Sequence, residues 1–384
     1  MKQYLSGKWK HSVSFTAIVC LLLIGWLPSQ EQEAISSGKK SLEELSWMQV
    51  ATRMPDDWYG SPEAQRIAET VLFCQQDIGG WQKNKPYHHG LSDAEKETFA
   101  AGRSGIGATI DNGATTTEMI FLAKVYSQHK DERYWNAFSK GFNYLLDAQY
   151  KNGGWPQFYP ARGTGGVSYS SHITYNDNAM VNVLQLLKDV ADATPLYVQL
   201  PISNEMRQKA KKSFDKGVEC ILKTQIRVDG VPTVWCAQHD EVTLLPANAR
   251  AYELASFSGG ESVGIIKLLM EIEQPSAEIV ASVKDAMAWL DAHKITGLSV
   301  VREADASGKR NTVVQKDDNA PALLARFYDL QTGTPFFCDR DGIKKKSLAE
   351  IGSERRNGYS WYYAGLAPLQ TEYSKWLKKW HINQ

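Results

Sequence analysis

The sequence predicts a mainly α protein, an α/α toroid built from repeated helix pairs with long loops and short irregular β segments. Three observations carry this prediction: an internal repeat of about 75 residues, apolar positions three or four apart around it, and little strand-like alternation.

The repeat is plainest in CQQDIGGWQKN (74–84) and AQYKNGGWPQF (148–158). Both read Gln, four residues, Gly, Trp, with Trp81 and Trp155 separated by 74 positions. A looser third copy, TQIRVDGVPTVW, sets Gln225 76 residues beyond Gln149. Apolar helical stretches precede the copies, as in FNYLLDAQ and GVECILKTQ, and the glycine pair ends the helix because glycine accepts the left-handed conformation found there. Second helices are expected from Thr115 (TTTEMIFLAKVYSQ), Asp177 (DNAMVNVLQLLKDV), Gly259 (GGESVGIIKLLMEI) and Asp317 (DDNAPALLARFYDL). Helix pairs stacked in this way collect their loops at the two ends of the array, so polar motifs distant in sequence converge.

The amino terminus carries Lys2, Lys8 and Lys10 ahead of an apolar run from about Phe15 to Leu27, too short to span a bilayer comfortably. Residues 1–30 read as a secretory signal, 31–55 as a linker or N-terminal extension, and 56–384 as the main domain. Export implies a secreted or periplasmic protein with no stable membrane insertion once the signal is removed; Cys20 within the run leaves a lipid anchor as the minor alternative. Lys+Arg and Asp+Glu both number 43, a balance that argues against non-specific nucleic-acid binding. Cys74, Cys220, Cys236 and Cys338 lack zinc-site spacing and are too few for a disulfide scaffold, which leaves buried thiols or a single bridge. A monomer is expected.

Asp111-Asn112 and Asp177-Asn178 each stand just before an apolar helix. Such residues cap helices. Two pairs at equivalent repeat positions also aim hard oxygen ligands at one end of the array, which describes a calcium site, and Asp318-Asn319 is a third candidate. Basic residues recur on the same loops: Lys83, Arg250, Arg326, Arg340 and the doublet Arg355-Arg356. Beside aromatic residues they suit a substrate with repeated carboxylates, because a guanidinium holds a carboxylate in a two-pronged fork. The GGW tryptophans serve either as packing or as flat platforms for sugar rings. There is no G-x-S-x-G, P-loop or H-E-x-x-H, and His239 reads as structural. Sequence spacing leaves open a carboxylate pair working as a glycosidase, such as an unsaturated glucuronyl hydrolase, and a non-catalytic glycan-binding repeat protein.

Taken together, GGWQKN, DNGATTTEMIFLAKVY, NGGWPQFYP, ITYNDNAMVNVL, TVWCAQHDEVTLLPANARAYELAS, QKDDNAPALLARFYDL, FFCDRDG and ERRNGYSWY resemble the pectate lyases of polysaccharide lyase family 10, from about Trp81 to Tyr363. The resemblance implies a helical toroid that cleaves homogalacturonan, an acidic polysaccharide, by calcium-assisted anti β-elimination to 4,5-unsaturated products. Residue by residue it implies that Asp111 and Asp177 ligate Ca2+, that Asn112 and Asn176 lie nearby on the substrate, and that Arg250 abstracts the proton. Arg326 and Arg340 are implied as substrate-carboxylate ligands, with Lys83 and Arg356 as further substrate contacts. Arg250 sits between Ala249 and Ala251 at an expected helix entrance, where small neighbours admit a sugar ring. A base with so high an ordinary pKa requires depression by nearby positive charge.

Overall fold

A computed structural model describes residues 41–162, 167–304 and 307–383. The expected signal at 1–30, Cys20 included, and the first part of the expected linker lie outside these residues. Of the unit formed by Met1–Glu44, the described part holds one short turn, Leu42–Glu44. The second unit runs from Leu45 to the C-terminal end. The helices that build the repeat and its flanks are α1 (Trp47–Arg53), α2 (Pro62–Cys74), α3 (Thr116–Gln128), α4 (Glu132–Ala148), α5 (Ala179–Ala191), α6 (Asn204–Thr224), α7 (Gly259–Met270), α8 (Ala277–Ala292) and α9 (Leu366–Lys379); further helices at Asp93–Ala101, Pro195–Val198 and Ser353–Gly358 and several single turns lie in the connections.

The repeated glutamine is a clamp. At the end of α2 the Gln75 amide donates to Gly79 O at 2.7 Å and to Ala137 O at 2.8 Å. Gln149, after α4, donates to Gly153 O at 3.0 Å and Ser213 O at 2.9 Å. Gln225, after α6, reaches Thr233 O at 2.8 Å and Ser282 O at 3.0 Å. Because Ala137, Ser213 and Ser282 belong to α4, α6 and α8, each clamp ties its own loop to the next outer helix. The inner helices α3, α5, α7 and α9 follow one another, each of the first three also packing on the succeeding outer helix. This is the expected mainly α fold of paired, repeated helices, without a closed barrel.

The tryptophans of the repeat are core residues and not sugar platforms. Trp81, Trp155 and Trp235 are fully buried, and their indole N–H groups donate to Val71 O, Leu145 O and Ile221 O at 2.8, 2.7 and 2.7 Å. The glycine pair is equally spatial: Gly153 has φ +95°, and a Cβ there would collide with Lys216 O on α6.

Two expected assignments change. The stretch from Asp317 is not a helix: Pro321 has no N–H to donate, and the segment pairs instead as short strands. Leu324–Ala325 pairs with Tyr362–Tyr363, and Phe327–Tyr328 with Phe257–Ser258. The fourth inner helix is α9, reached through a hairpin of β1 (Leu298–Ala304) and β2 (Arg310–Lys316). At the other end, residues 45–55 belong to the fold and not to a linker. Ser46 and Gln49 form a capping box, Val50 and Ala51 are buried, and α1 packs on α3. Trp47 Nε1 donates to Glu118 Oε1 at 2.7 Å.

The four described cysteines are buried free thiols, with burial raising Cys74 to about 12 and Cys220 to about 11. No helix among the described residues is long and apolar enough to cross a membrane.

Burial pushes Glu118 up from 4.5 to about 7, with the Trp47 hydrogen bond opposing it. A raised acid favours the fold when protonated, so its contribution is whole below about pH 4.5 and lost as pH rises through about 7, a swing of about 3 kcal/mol. Urea unfolding is expected to show wild type losing about that much stability relative to Glu118→Gln between about pH 4 and about pH 8; parallel profiles would show that Glu118 does not titrate in this range.

Candidate active site

Two one-turn elements, Asp111–Gly113 and Asn176–Asn178, lie side by side at the entrances of α3 and α5. Asn112, Asp177 and Asn178 adopt left-handed conformations with φ of 54°, 50° and 60°, which Asn and Asp tolerate better than most residues. Neither acid caps a helix. Thr115 and Asn178 occupy the cap positions, and neither makes a side-chain cap. Asp111 is buried; its Oδ2 pairs with Lys83 Nζ, and its Oδ1 has no hydrogen-bond partner. Asn112 Nδ2 donates to Asn84 Oδ1 at 2.9 Å, leaving the Asn112 carbonyl oxygen to others.

Asp177 faces a pocket of about 300 Å3 that it shares with Glu261, Arg326, Ser360 and Tyr362. Arg326 is the hub of this side. Its Nη2 donates to Asn176 Oδ1 at 2.9 Å and lies 3.3 Å from both Asp177 Oδ1 and Glu261 Oε1. Burial pulls this guanidinium down, but the carboxylates of Glu261 and Asp177 more than reverse it and hold Arg326 protonated. The guanidinium stacks over the Tyr359 ring at 4.3 Å, and the Tyr359 hydroxyl donates to Glu253 Oε1 at 2.7 Å.

Glu253 leads to Arg250. Arg250 Nε and Nη2 donate to Oε2 at 2.7 Å and Oε1 at 2.5 Å, a bidentate fork. Arg250 lies in a turn closed by Glu253 N–H to Arg250 O at 2.7 Å, and the next helix begins only at Gly259, so the expected helix entrance is absent. The expected depression of its pKa is also reversed. Burial does lower it, but hydrogen bonds and charge from Glu253, aided by Tyr252 and Tyr359, leave it above the ordinary arginine value. Burial raises the Tyr169 phenol, which the Arg250 guanidinium lowers and the Glu253 and Asp111 carboxylates raise.

Arg250 and two further guanidinium groups crowd one ring. Arg250, Arg355 and Arg340 lie 4.9, 4.6 and 5.9 Å from the Tyr252 centroid. Arg340 forks onto Glu354 at 2.9 and 2.6 Å, and Arg355 shares that carboxylate at 3.0 Å. Arg356 instead points to the hairpin, donating to Asn311 Oδ1 at 3.2 Å and Ile351 O at 3.1 Å. Of the doublet, Arg355 therefore joins the cluster. Asp318-Asn319 is exposed, with Asp318 3.6 Å from Lys316, and adds nothing here. His239 is structural: its Nε2 accepts from Cys236 N–H, its Nδ1 donates to Leu244 O, and burial lowers it to about 4.

The family model for pectic acid lyase matches residues 75–365. The chain belongs to the pectic acid lyase family. Two solved structures are similar to this lyase. One is a mutant of the family 10 polysaccharide lyase from Cellvibrio cellulosa in complex with trigalacturonic acid, 36% identical, covering 86% of this chain and 95% of that one with a TM-score of 0.71. The other, the family 10 polysaccharide lyase from the same organism, is 33% identical, covers 93% and 99%, and has a TM-score of 0.69. A comparison with curated protein sequences found no match. The chain is thus a polysaccharide lyase, which sets aside the glycosidase and the non-catalytic binding protein.

Sequence reading missed Glu253, Tyr359 and Glu261, the acids and phenol that position the lyase's arginines. Glu253 had a faint signal, an acid three residues after Arg250. Tyr359 and Glu261 had none, because they meet Arg326 only through the fold. Among the described residues, the His, Asp and Glu group close enough to share an ion is His172, Asp240 and Glu241. Asp111 and Asp177 form no such trio.

Arg326→Met is expected to destabilise the lyase by roughly 3–5 kcal/mol in denaturant unfolding, because it strands the buried Glu261 carboxylate. A loss below about 1 kcal/mol would show that Glu261 is compensated without Arg326.

Proposed function

We propose that this lyase cleaves α-1,4-linked polygalacturonate by calcium-assisted anti β-elimination, outside the cytoplasm, giving 4,5-unsaturated oligogalacturonides. The observation that supports the reading is the continuous path Asp177, Arg326, Tyr359, Glu253, Arg250, which links one acid loop to the arginine cluster, with the Asp111 loop packed beside that of Asp177. The trigalacturonic acid held by the similar Cellvibrio enzyme supports the substrate class.

Asp111, Asp177 and the Asn112 carbonyl are hard oxygen donors suited to calcium, and the partnerless buried Oδ1 of Asp111 fits a ligand role. A bound calcium ion supplies positive charge beside the uronate carboxylate, where negative charge grows as C5 loses its proton. In the free protein Lys83 and Arg326 neutralise these same acids, and Lys83 would be free to reach a substrate carboxylate if a cation took its place on Asp111. Arg340 and Arg355 present guanidinium groups to neighbouring carboxylates once Glu354 is displaced.

In this reading Arg250 is the base. Two of its nitrogens are occupied by Glu253, which leaves Nη1 to face C5. The proton passes to Nη1, the C5 electron pair forms the C4–C5 double bond, and the C4–O4 bond breaks with O4 taking a proton from water. Only neutral Arg250 reacts. Its raised pKa makes that form scarce at neutral pH, so activity is expected to climb with pH into the alkaline range.

The direct test follows ultraviolet absorbance of the unsaturated product from polygalacturonate with and without a chelator. A calcium-dependent rise is expected, whereas reducing sugar without absorbance would overturn the elimination. Arg250→Lys is expected to cost roughly 100- to 10,000-fold in kcat with the fold intact; near-normal turnover would remove Arg250 as the base. Glu253→Gln takes away the charge that raises Arg250, so the rising limb of the pH–rate profile is expected to move to lower pH as kcat falls. An unmoved limb would dissociate Glu253 from Arg250 protonation.

A further inference from the structure

The hairpin of β1 and β2 lies outside the helical repeat and presents one face to a second pocket. In its antiparallel register Arg302 pairs with Thr312, and Ala304 with Arg310. The two arginines therefore sit diagonally on the same face, while Glu303, opposite Asn311, points to the other. Both arginines are exposed, and neither makes an ion pair among the described residues. They line a pocket of about 570 Å3 whose other wall includes Tyr359, Ser360 and Tyr362.

That wall is shared. Ser360 and Tyr362 also line the pocket of Asp177 and Arg326, so the two cavities meet across this short segment. The hairpin is held in place by its pairing edge: Thr312 N–H donates to Asn357 Oδ1 at 2.6 Å, and Arg356 Nε donates to Asn311 Oδ1 at 3.2 Å. Arg356, turned away from the arginine cluster, thus has its role as a pin. A guanidinium pair left without carboxylates beside aromatic rings is matched by a ligand with spaced carboxylates and apolar ring faces.

We propose that this second pocket is a distal subsite for the polyuronate chain. A chain leaving the Asp177 and Arg326 pocket crosses Ser360 and Tyr362, and a uronate beyond the reacting units places its carboxylate on Arg302 and Arg310. The subsite favours long, unesterified chains over short or methyl-esterified ones, because esterification removes the charge that the arginines bind. The inference rests on the reading of the enzyme as a polygalacturonate lyase.

The test compares kcat/KM on polygalacturonate with kcat/KM on trigalacturonate, both with calcium, for wild type and for the double variant Arg302→Gln, Arg310→Gln. The polymer-to-trimer ratio is expected to fall about tenfold in the double variant, chiefly through KM on the polymer. Arg310→Glu is expected to lower it further, and Arg302→Lys with Arg310→Lys to restore part of it. In wild type the ratio is expected to shrink as salt is added. An unchanged ratio in a double variant that melts like wild type overturns the subsite and leaves the lyase reading intact. Absence of unsaturated product from either substrate with wild type overturns both together.

Discussion

A charge taken out of water must be neutralised by whatever surrounds it, and in this lyase that requirement centres on the Arg326 guanidinium. Its partners come from separate parts of the chain: Asn176 and Asp177 from the loop before α5, Glu261 from the first turn of α7, Tyr359 from the segment before α9. None of them is near Arg326 in sequence. An unpaired guanidinium at this depth would cost several kcal/mol, so the fold that satisfies it must bring those loops to one place. Through Tyr359 and Glu253 the same constraint extends to Arg250.

The helical repeat makes the convergence affordable in geometric terms. Each glutamine clamp fixes a loop against the next outer helix, and each buried indole turns back on its own helix, so the entrances of α3 and α5 arrive side by side with little freedom. The site is then completed by material outside the repeat, the strand pairs and the segment from Arg355 to Tyr362. The repeat thus supplies Asp111, Asp177 and Glu261, while Arg326, Arg340, Arg355 and Tyr359 come from the chain beyond α8.

The ligand-free charge pattern has a functional sense. Four cations of the candidate site each have an internal carboxylate: Lys83 has Asp111, Arg250 has Glu253, Arg326 has Glu261 and Asp177, and Arg340 has Glu354. In the proposed function a polyuronate would bring carboxylates that compete for these cations, and a metal ion would compete for the acids. Binding of that kind would be an exchange of partners within a site already electrically balanced. That limits the cost of assembling so many like charges.

The sequence by itself determined the repeat, most of the helix pairs and the place of two Asp-Asn pairs ahead of α3 and α5, because each depends on local periodicity or on a short run of residue types. It misplaced the 317–328 segment, whose apolar spacing imitates a helix while its hydrogen bonds go to strands formed elsewhere, and it read α1 as linker although Ser46 and Gln49 carried a cap signal. Tertiary structure alone decided that the repeated tryptophans face inward, that Arg355 and not Arg356 joins the cluster, and that Glu253, Glu261 and Tyr359 govern the arginines. Those outcomes turn on burial and on pairings across long chain separations, where the energy of a charge depends on its surroundings in space and not on its neighbours in sequence.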